Sequence, residues 1–561
     1  MYFKILKLII ILLLSYQTPV FSKSNSLNDF DRKDLSNYFS GIVAFENKNI
    51  SEAYNFFKSS KDLLDDHDPF LKRYVDSMIL DNNVAQAINI IKKNETKDNS
   101  KFFEAYILLA LDSLKKNDFD QADSYLNKSL STASNDSFKL VIFETLKQYV
   151  YVFKEGKIQS QKKNYGNLTY ISEIFQRCYL NDDKTGTFFF RLINNREGDY
   201  SRYIHFYINY LISIGKFSEA ENIANDLNII NTPILLSQTK LWIENKSYHE
   251  FEKIFSCNNH NDLVSEFLFL ISNLYSSQND FQNSNIYLNL SNYLNPKFKF
   301  NLSLVAENYY LNNDFDNAKN ILKNFEDKYQ FYYWFRIKKE AQILIKQGKE
   351  KQALNHINEK FTKIKNPNIK FVFEMGDFNK NLKEYESAIK FYTTVIESLD
   401  PNSDVIPDLL YRRGGSYERV GDYTRSDQDL LEALKINPDD AYTLNYLAYS
   451  WLERNFKIPE AIEMLERAYA SKKNDPYIID SIGWAYYLTD DYSKAEQLLR
   501  QAVELMPDDP TVNDHYGDVL WKLDRKLQAR YFWNSVLNFE DTDADMKKKI
   551  SIKLDEGLNN S

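Results

Sequence analysis

Glycine and proline are scarce in this sequence, which has 14 and 12 of them among 561 residues. Because these two residues mark turns and chain breaks, their scarcity argues against a loop-rich or sheet-rich protein and favours helix. Cysteine is scarcer still, since Cys178 and Cys257 are the only two and no CxxC pair exists. We therefore expect no metal and two buried thiols that act as small apolar residues; a disulfide between them stays open as the alternative.

A surplus of basic charge is also missing. Lys and Arg number 70 against 79 Asp and Glu, which gives a net charge of −9 and an isoelectric point near 5.5. A protein that grips nucleic acid or an anionic membrane through its general charge needs the opposite balance. We therefore expect no nucleic-acid partner.

Catalytic signatures are absent as well. The sequence contains no GxSxG elbow, no GxxxxGK[ST] phosphate loop, no GxGxxG dinucleotide motif and no HExxH zinc motif. His515 stands between Asp514 and Asp518 on one helix and could form a weak metal-ligand pair with them. No third ligand lies in sequence range, so a solvated or groove-lining histidine is favoured. The sequence predicts a protein without catalytic activity, metal or cofactor.

Long apolar runs are confined to the amino terminus. Lys4 and Lys7 precede an apolar run from Leu8 to Leu14, and small residues around Ser22 follow it. This order is typical of a secretory signal peptide cleaved near Ser22, with an uncleaved anchor as the open alternative. No later stretch has 18 apolar residues, so we expect no stable membrane span after cleavage. The mature chain is expected to be exported to the periplasm of a Gram-negative cell, either free there or associated with the envelope.

What the sequence does contain is a repeat. The stretch Pro476–Pro507, PYIIDSIGWAYYLTDDYSKAEQLLRQAVELMP, predicts two short amphipathic helices in which Gly483 and Ala495 are small. Small residues let two antiparallel helices approach to about 8–10 Å. The same pair recurs at spacings of 34 to 38 residues, as Ala306/Ala318, Ala341/Ala353, Gly376/Ala388, Gly414/Ser426, Ala448/Ala461, Gly483/Ala495 and Gly517/Ala529. Fainter copies precede them, as Gly41/Ala53, Val75/Ala87, Ala110/Ala122, Ile208/Ala220 and Ser272/Ser284.

This pattern resembles the tetratricopeptide repeat, a helix–turn–helix unit with small residues at fixed positions. The resemblance implies an all-α fold, a superhelical solenoid of antiparallel helix hairpins in which each unit buries its apolar face against the next. The expected organisation is a signal peptide (1–22), a degenerate array (23–136), an irregular helical segment (137–200), a second degenerate array (201–366), a regular array (367–541) and a capping helix with tail (542–561).

The resemblance also implies a binding surface. In this family the first helix of each repeat lines the concave face through its second, fifth, ninth and twelfth positions. Placed on this sequence, those positions predict a partner-binding groove made of Tyr442, Asn445, Tyr449, Tyr477, Asp480, Trp484, Tyr487, Asp514, Asp518 and Trp521. Such aromatic and amide groups suit an extended peptide, although the same rings would also serve to pack helix against helix. Basic residues are absent from these slots, so a lysine/arginine clamp for a carboxylate is not expected.

The C-terminal repeats are similar to those of secreted bacterial tetratricopeptide-repeat proteins. The residues that carry this likeness are YLAYSWLERN, IIDSIGWAYYLTDDYSKAEQLLRQAVELMPDDP and NDHYGDVLWKLDRKLQARYFW. Such proteins include the lipoprotein adaptor that delivers cell-wall hydrolases to a carboxyl-terminal processing protease. The resemblance implies a periplasmic scaffold or adaptor whose partners are polypeptides, among them an envelope protease or cell-wall hydrolases. This chain lacks the lipidation cysteine of those adaptors.

Two other functions stay open from the sequence. The chain could be the helical part of a cell-wall hydrolase, with residues 137–200 as the one segment able to hold a catalytic domain. It could also be a structural component of an envelope export machine. The partner's identity, the oligomeric state and whether residues 137–200 bend are not given by the sequence.

Overall fold

The computed structural model describes residues 31–64, 67–133, 136–159, 163–195, 198–228, 230–326 and 328–558. Throughout these residues every regular element is helical and no strand occurs, which confirms the predicted all-α class. No helix of the described residues combines the length and apolar character that a membrane crossing requires. The predicted signal peptide, residues 1–22, lies outside the described residues.

The helices fall into two compact units, each considered by itself below. The first unit comprises the described residues of Met1–Asn228 and Thr232–Gly348, and the second those of Ile229–Asn231 and Lys349–Ser561. The helices of the first unit are α1 (Arg32–Glu46), α2 (Ile50–Ser59), α3 (Asp68–Leu80), α4 (Val84–Lys93), α5 (Phe103–Lys115), α6 (Phe119–Leu130), α7 (Ser137–Glu155), α8 (Asn167–Tyr179), α9 (Thr185–Ile193), α10 (Ser201–Ser213), α11 (Phe217–Asn225), α12 (Ile234–Glu244), α13 (His249–Ile254), α14 (His260–Ser277), α15 (Phe281–Leu294), α16 (Leu302–Leu311), α17 (Phe315–Leu322) and α18 (Gln330–Lys346).

The second unit is a run of hairpins closed by a final single helix. Its helices are α19 (Glu350–Phe361), α20 (Ile369–Asn381), α21 (Tyr385–Ser398), α22 (Ile406–Arg419), α23 (Tyr423–Ile436), α24 (Ala441–Glu453), α25 (Ile458–Ser471), α26 (Pro476–Leu488), α27 (Tyr492–Leu505), α28 (Pro510–Lys522), α29 (Lys526–Val536) and α30 (Ala544–Glu556). Three short 3₁₀ helices in the first unit complete the set, at Lys61–Leu64, Asp98–Ser100 and Lys299–Asn301.

Every residue that the repeat pattern places in a small slot is buried, in both units. Seven positions after each first slot, the chain adopts a left-handed backbone conformation, as at Asn279 after Ser272 and at Asp490 after Gly483. The next residue turns its N–H back to the end of the first helix, as Asp491 does to the Tyr486 carbonyl at 2.9 Å. In this hairpin the Asp491 side chain also caps the second helix by accepting from the Lys494 N–H, so one short turn satisfies both helix ends.

Two hairpins obey the same rule without small residues in their slots. In α12–α13 the left-handed residue is Lys246, and the slots hold Thr239 and Phe251, both fully buried. In α8–α9 it is Asn181, seven positions after the buried Ile174. Residues 137–200 therefore contain a regular hairpin after the long helix α7, where the sequence predicts only irregular pairs.

A glycine in the first slot faces a large residue on the second helix. A Cβ atom built on Gly483 would lie 2.8 Å from Leu499 Cγ, and one on Gly517 would lie 2.3 Å from Trp533 Nε1. Real Cβ atoms do not approach so closely, so these helices pack at a distance that only glycine permits. Close approach, rather than helix propensity, determines the residue here.

In the first unit, two later helices fold back against the early ones. Helices α14 and α15 pack against the early helices, and the contacts are specific. Asn289 donates to the carbonyl of Ile79 at 2.8 Å, His260 bonds the carbonyl of Leu114 at 2.9 Å, and Lys115 donates to that of Tyr293 at 2.6 Å. The three carbonyls lie at the ends of α3, α5 and α15, and those of Ile79 and Leu114 also accept a backbone N–H from the turn that follows. The sequence pattern does not predict this fold-back.

The two cysteines form a disulfide, with their Cα atoms 5.5 Å apart. The expectation of two separate buried thiols is wrong. Cys178 lies near the end of α8 and Cys257 in the turn before α14, so the bond ties the missed hairpin to the helix that folds back. The loop that it closes spans 79 residues, and a crosslink of that span stabilises a fold by about 2–4 kcal/mol.

Helix α30 covers the exposed side of the last hairpin. Ile550 is fully buried against α29, and Leu554 and Leu558 pack on the same cluster as Trp533. A solenoid needs such a cover because its last repeat has no neighbour to bury its apolar face.

The close approach at the first slot gives a stability prediction. Replacing Gly483 by Ala should lower the free energy of unfolding by about 1–3 kcal/mol, because the new methyl group overlaps Leu499. Thermal or urea denaturation of the full chain measures this change.

Gly415→Ala is the matched control, since Gly415 lies on α22 next to a first-slot glycine. Its Cβ would meet the Tyr446 hydroxyl at 3.4 Å, an ordinary contact, so the helix should be unchanged or about 0.5–1 kcal/mol more stable. Equal stability of the Gly483 and Gly415 variants would show that the slot is not tightly packed.

Candidate polypeptide-binding cleft

A cleft of about 630 Å³ opens on the second unit, between the first helices of successive hairpins. Four first helices contribute to its wall: the end of α22, the middle and end of α24, and the starts of α26 and α28. The lining residues are Glu418, Arg419, Tyr423, Asn445, Tyr446, Tyr449, Ser450, Glu453, Arg454, Tyr477, Asp480, Ser481, Asp509, Thr511 and Val512. The repeat spacing brings these residues together from positions some 90 residues apart.

Four of the ten predicted groove residues line this cleft, namely Asn445, Tyr449, Tyr477 and Asp480. Tyr477 is 59% exposed, and its ring stands at the start of α26. Tyr442, one turn before Asn445 on α24, is also exposed, but it lies outside the cleft lining and its hydroxyl donates to Asp475 at 3.3 Å. The remaining predicted residues lie along α26 and α28.

Trp484 and Tyr487 form an aromatic stack with His515 from the next repeat. The indole ring lies parallel to the imidazole with ring centroids 4.0 Å apart, and Tyr487 stacks on the other side at 4.6 Å. Trp484 is half-buried, and its Nε1 donates to Glu453 at 3.0 Å. These rings hold α26 to α28, so the packing role weighed for them in the sequence is present in the structure.

His515 is buried, and its Nδ1 lies 3.0 Å from both carboxylate oxygens of Asp480. Burial by itself would lower the pKa of His515, but the Asp480 carboxylate, with Asp514 and Asp518 farther off, raises the pKa above its ordinary value. The acidic surroundings of the imidazole therefore favour its protonated form more than water does. No group of side chains able to hold a metal ion occurs among the described residues.

Helix α30 occupies the last part of the predicted groove. Lys553 donates to Asp514 at 2.6 Å and to Asp518 at 2.7 and 2.8 Å. Burial and the nearby Asp514 raise the pKa of Asp518 to about 6, although Lys553 opposes the rise. Trp521 is half-buried under Gly557, where a Cβ atom would lie 2.0 Å from the indole. Neither Trp521 nor Trp484 is the exposed residue that the repeat positions predict.

The two arginines of the cleft lie outside the predicted positions. Arg454 pairs with Asp427 at 2.7 Å and lies over the Tyr423 ring, and Arg419 lies 3.5 Å from Glu418. The expectation of no basic residue holds for the repeat positions but not for the cleft as a whole. Arg419 is the last residue of α22 and Arg454 directly follows α24, so an inspection of the ends of the first helices would have found both arginines.

Two polar atoms in the cleft wall are buried and have no hydrogen-bond partner within the described chain, Asn445 Oδ1 and Ser450 Oγ. Ser450 is only 6% exposed. Buried polar atoms normally have partners, because leaving one unpaired costs about 1–3 kcal/mol.

Comparison with known proteins agrees with the repeat pattern. The family model described as tetratricopeptide repeat matches residues 407–440 and 478–509, which hold α22–α23 and α26–α27. The chain therefore contains tetratricopeptide repeats, which are typical of protein–protein interaction scaffolds.

Relatives are similar over only part of their length. The chain is 28% identical over 180 residues to the TPR repeat-containing protein PA4667 of Pseudomonas aeruginosa, covering 32% of this chain and 30% of that protein. It is 22% identical over 115 residues to anaphase-promoting complex subunit 3 of Schizosaccharomyces pombe, covering 20% and 16%. The chain thus spans less than a third of the length of these curated relatives.

Solved structures with some similarity include two helical repeat proteins. Yeast Tom70 has a TM-score of 0.35 at 13% identity, covering 92% of this chain and 94% of that one. The thermophilic TPR protein TTC0263 of Thermus thermophilus has a TM-score of 0.30 at 18% identity, covering 33% and 99%.

The His515–Asp480 pair gives a titration prediction. In the wild-type protein the pKa of His515 should exceed 6.5, and in Asp480→Asn it should be lower, because the Asp480 carboxylate is lost while burial still opposes the charged form and only Asp514 and Asp518 remain to favour it. Nuclear magnetic resonance of the histidine rings, of which the chain has 6, measures both values.

The stability consequence has a definite sign. Because the folded-state pKa is raised, the pair stabilises the fold fully below about pH 6.5, and that stabilisation is lost as the pH rises through the raised pKa. An unshifted His515 in the wild type, or the same pKa in both proteins, would contradict the pairing.

Proposed function

We propose that this protein is a non-catalytic scaffold or adaptor of the periplasm that binds an extended segment of a partner polypeptide in the cleft of its second unit. The observation that carries the proposal is the cleft wall itself. It combines the exposed Tyr477 and the half-buried Tyr449 with Asn445 and Asp480, at groove positions that repeats of this kind present to partners.

The choice of the second unit follows from packing. In the first unit, α14 and α15 pack against the early helices, and their side chains bond carbonyls at the ends of those helices. In the second unit the first helices α22, α24 and α26 have no such cover among the described residues, and the cleft lies between them. A polypeptide bound there would bury ring faces that are now open to water.

A catalytic role has no support from the described residues. Residues 137–200, kept open in the sequence for a hydrolase domain, contribute helices α7, α8 and α9. His515, which lies beside the cleft, is buried, stacks on Trp484 and is hydrogen-bonded to Asp480, so its ring is not open to a substrate in the cleft. The proposal therefore assigns binding alone.

Export is supported by two independent features. The amino-terminal sequence has the order of a signal peptide, and the first unit contains the Cys178–Cys257 disulfide. Structural disulfides form and persist in oxidising compartments and are rare where thiols are kept reduced. A periplasmic partner such as an envelope protease or a cell-wall hydrolase belongs to this proposal.

Site-specific crosslinking in the native cell tests the binding proposal. A photoreactive benzoylphenylalanine in place of Tyr477, which is 59% exposed in the cleft, should give a crosslink to a polypeptide. The same crosslinker in place of Tyr531, 69% exposed on α29 and outside the cleft, is the matched control. Adding Tyr449→Ala should remove the first crosslink while helicity is unchanged.

The proposal fails if position 477 gives no crosslink, or if positions 477 and 531 capture the same polypeptides equally. Persistence of the crosslink in the Tyr449→Ala protein would place the contact outside the cleft.

A second prediction concerns location. Protein isolated from the native cell should begin near Lys23, be released with the periplasmic fraction or the envelope, and have Cys178 and Cys257 blocked to alkylation until a reductant is added. Free thiols in the isolated protein, or an intact amino terminus in the cytoplasmic fraction, would refute export.

A further inference from the structure

The carboxylates of the cleft differ in whether they already have a cation. Asp480 pairs with His515, and Glu418 lies by Arg419. Glu453 accepts only the neutral indole N–H of Trp484, and Asp509 only the backbone N–H of Val512 that it caps. Within the described residues, Glu453 and Asp509 therefore face the cleft without a compensating positive charge.

The arginines of the cleft do not supply that charge. Arg454 is paired with Asp427 at 2.7 Å and bonds the Ser450 carbonyl at 3.0 Å. Arg419 lies 3.5 Å from Glu418 at the end of α22. The charge left over in the cleft is negative, and the Tyr449 hydroxyl lies within it: burial and then Glu453 and Asp480 raise the pKa of Tyr449.

One repeat further on, a pair of carboxylates binds a lysine of the chain itself. Lys553 of α30 places its ammonium group between Asp514 and Asp518, and the same group lies 5.9 Å from the Trp533 ring. Asp514 and Asp518 occupy the fifth and ninth positions of their first helix. The corresponding positions one repeat back are Asp480 and Trp484, which adjoin the open cleft.

We infer that the cleft holds a lysine or arginine side chain projected by the bound polypeptide segment and attracted by the carboxylates of Glu453 and Asp509 that line the cleft. This inference rests on the proposed function and specifies the partner's chemistry. The cation supplies the missing countercharge, and tyrosine faces attract it by a cation–π interaction.

Three peptide libraries test the inference on the full-length protein. Each consists of acetylated, amidated nonapeptides that are random in uncharged residues, with lysine, glutamine or glutamate fixed at the centre. We expect the immobilised protein to retain the lysine library at least about tenfold better than the glutamine library, and the glutamate library least. Raising the salt concentration to about 0.5 M should reduce the preference, because exposed ion pairs are screened.

The variant Glu453→Gln with Asp509→Asn removes both charges and keeps both hydrogen bonds. Gln still accepts from Trp484, and Asn caps a helix as well as Asp. This double variant should retain the lysine and glutamine libraries equally. The matched control, Glu460→Gln with Glu504→Gln, removes two exposed charges from second helices outside the cleft and should keep the preference.

The outcomes separate the inference from the proposed function. Equal retention of all three libraries by the wild type, lost in Tyr449→Ala, would overturn the cationic side chain but support polypeptide binding in the cleft. Preference for the glutamate library would also overturn it. Failure to retain any library would count against both. A lysine preference that survives the Glu453/Asp509 double variant would overturn the assignment to these carboxylates.

Discussion

The structure depends on how closely two antiparallel helices can approach at one point of each hairpin. Where that point is glycine, a residue as large as Trp533 or Leu499 fits against the bare backbone; elsewhere alanine or serine stands there. The left-handed residue seven positions later turns the chain within the space that this approach leaves. Slot, turn and cap thus form one local unit, and each apolar face that a hairpin leaves open is buried by a neighbouring helix.

Most of the fold could be predicted because these requirements are local. The slot residues, the helical class and the capping role of residues near Ile550 follow from spacing and burial. The α12–α13 hairpin could not be found by looking for small residues, since Thr239 and Phe251 occupy its slots. The disulfide and the fold-back of α14 and α15 depend on contacts between residues 79 to about 210 positions apart, which no repeat period encodes.

The candidate site was predictable only where it follows the repeat. Asn445, Tyr449, Tyr477 and Asp480 line the cleft because their positions in the first helix point to the inner face. The electrostatics of the site is a different matter, since it depends on which charges are already paired. Asp514 and Asp518 lie at equally good repeat positions, yet Lys553 neutralises them, while Glu453 lies off the pattern and has no cation.

Because α30 packs at one end of the second unit, the two ends of this unit differ. Lys553 of α30 and Gly557, which follows this helix, cover Asp514 and Trp521 on α28. An extended chain that lies along the first helices would therefore meet a barrier at α28. Among the described residues, no such cover lies over the cleft side of α26, α24 and α22. A ligand longer than the cleft would therefore extend past α22 toward α20, and the hairpins that contain these two helices would contact the part of it that lies beyond the cleft.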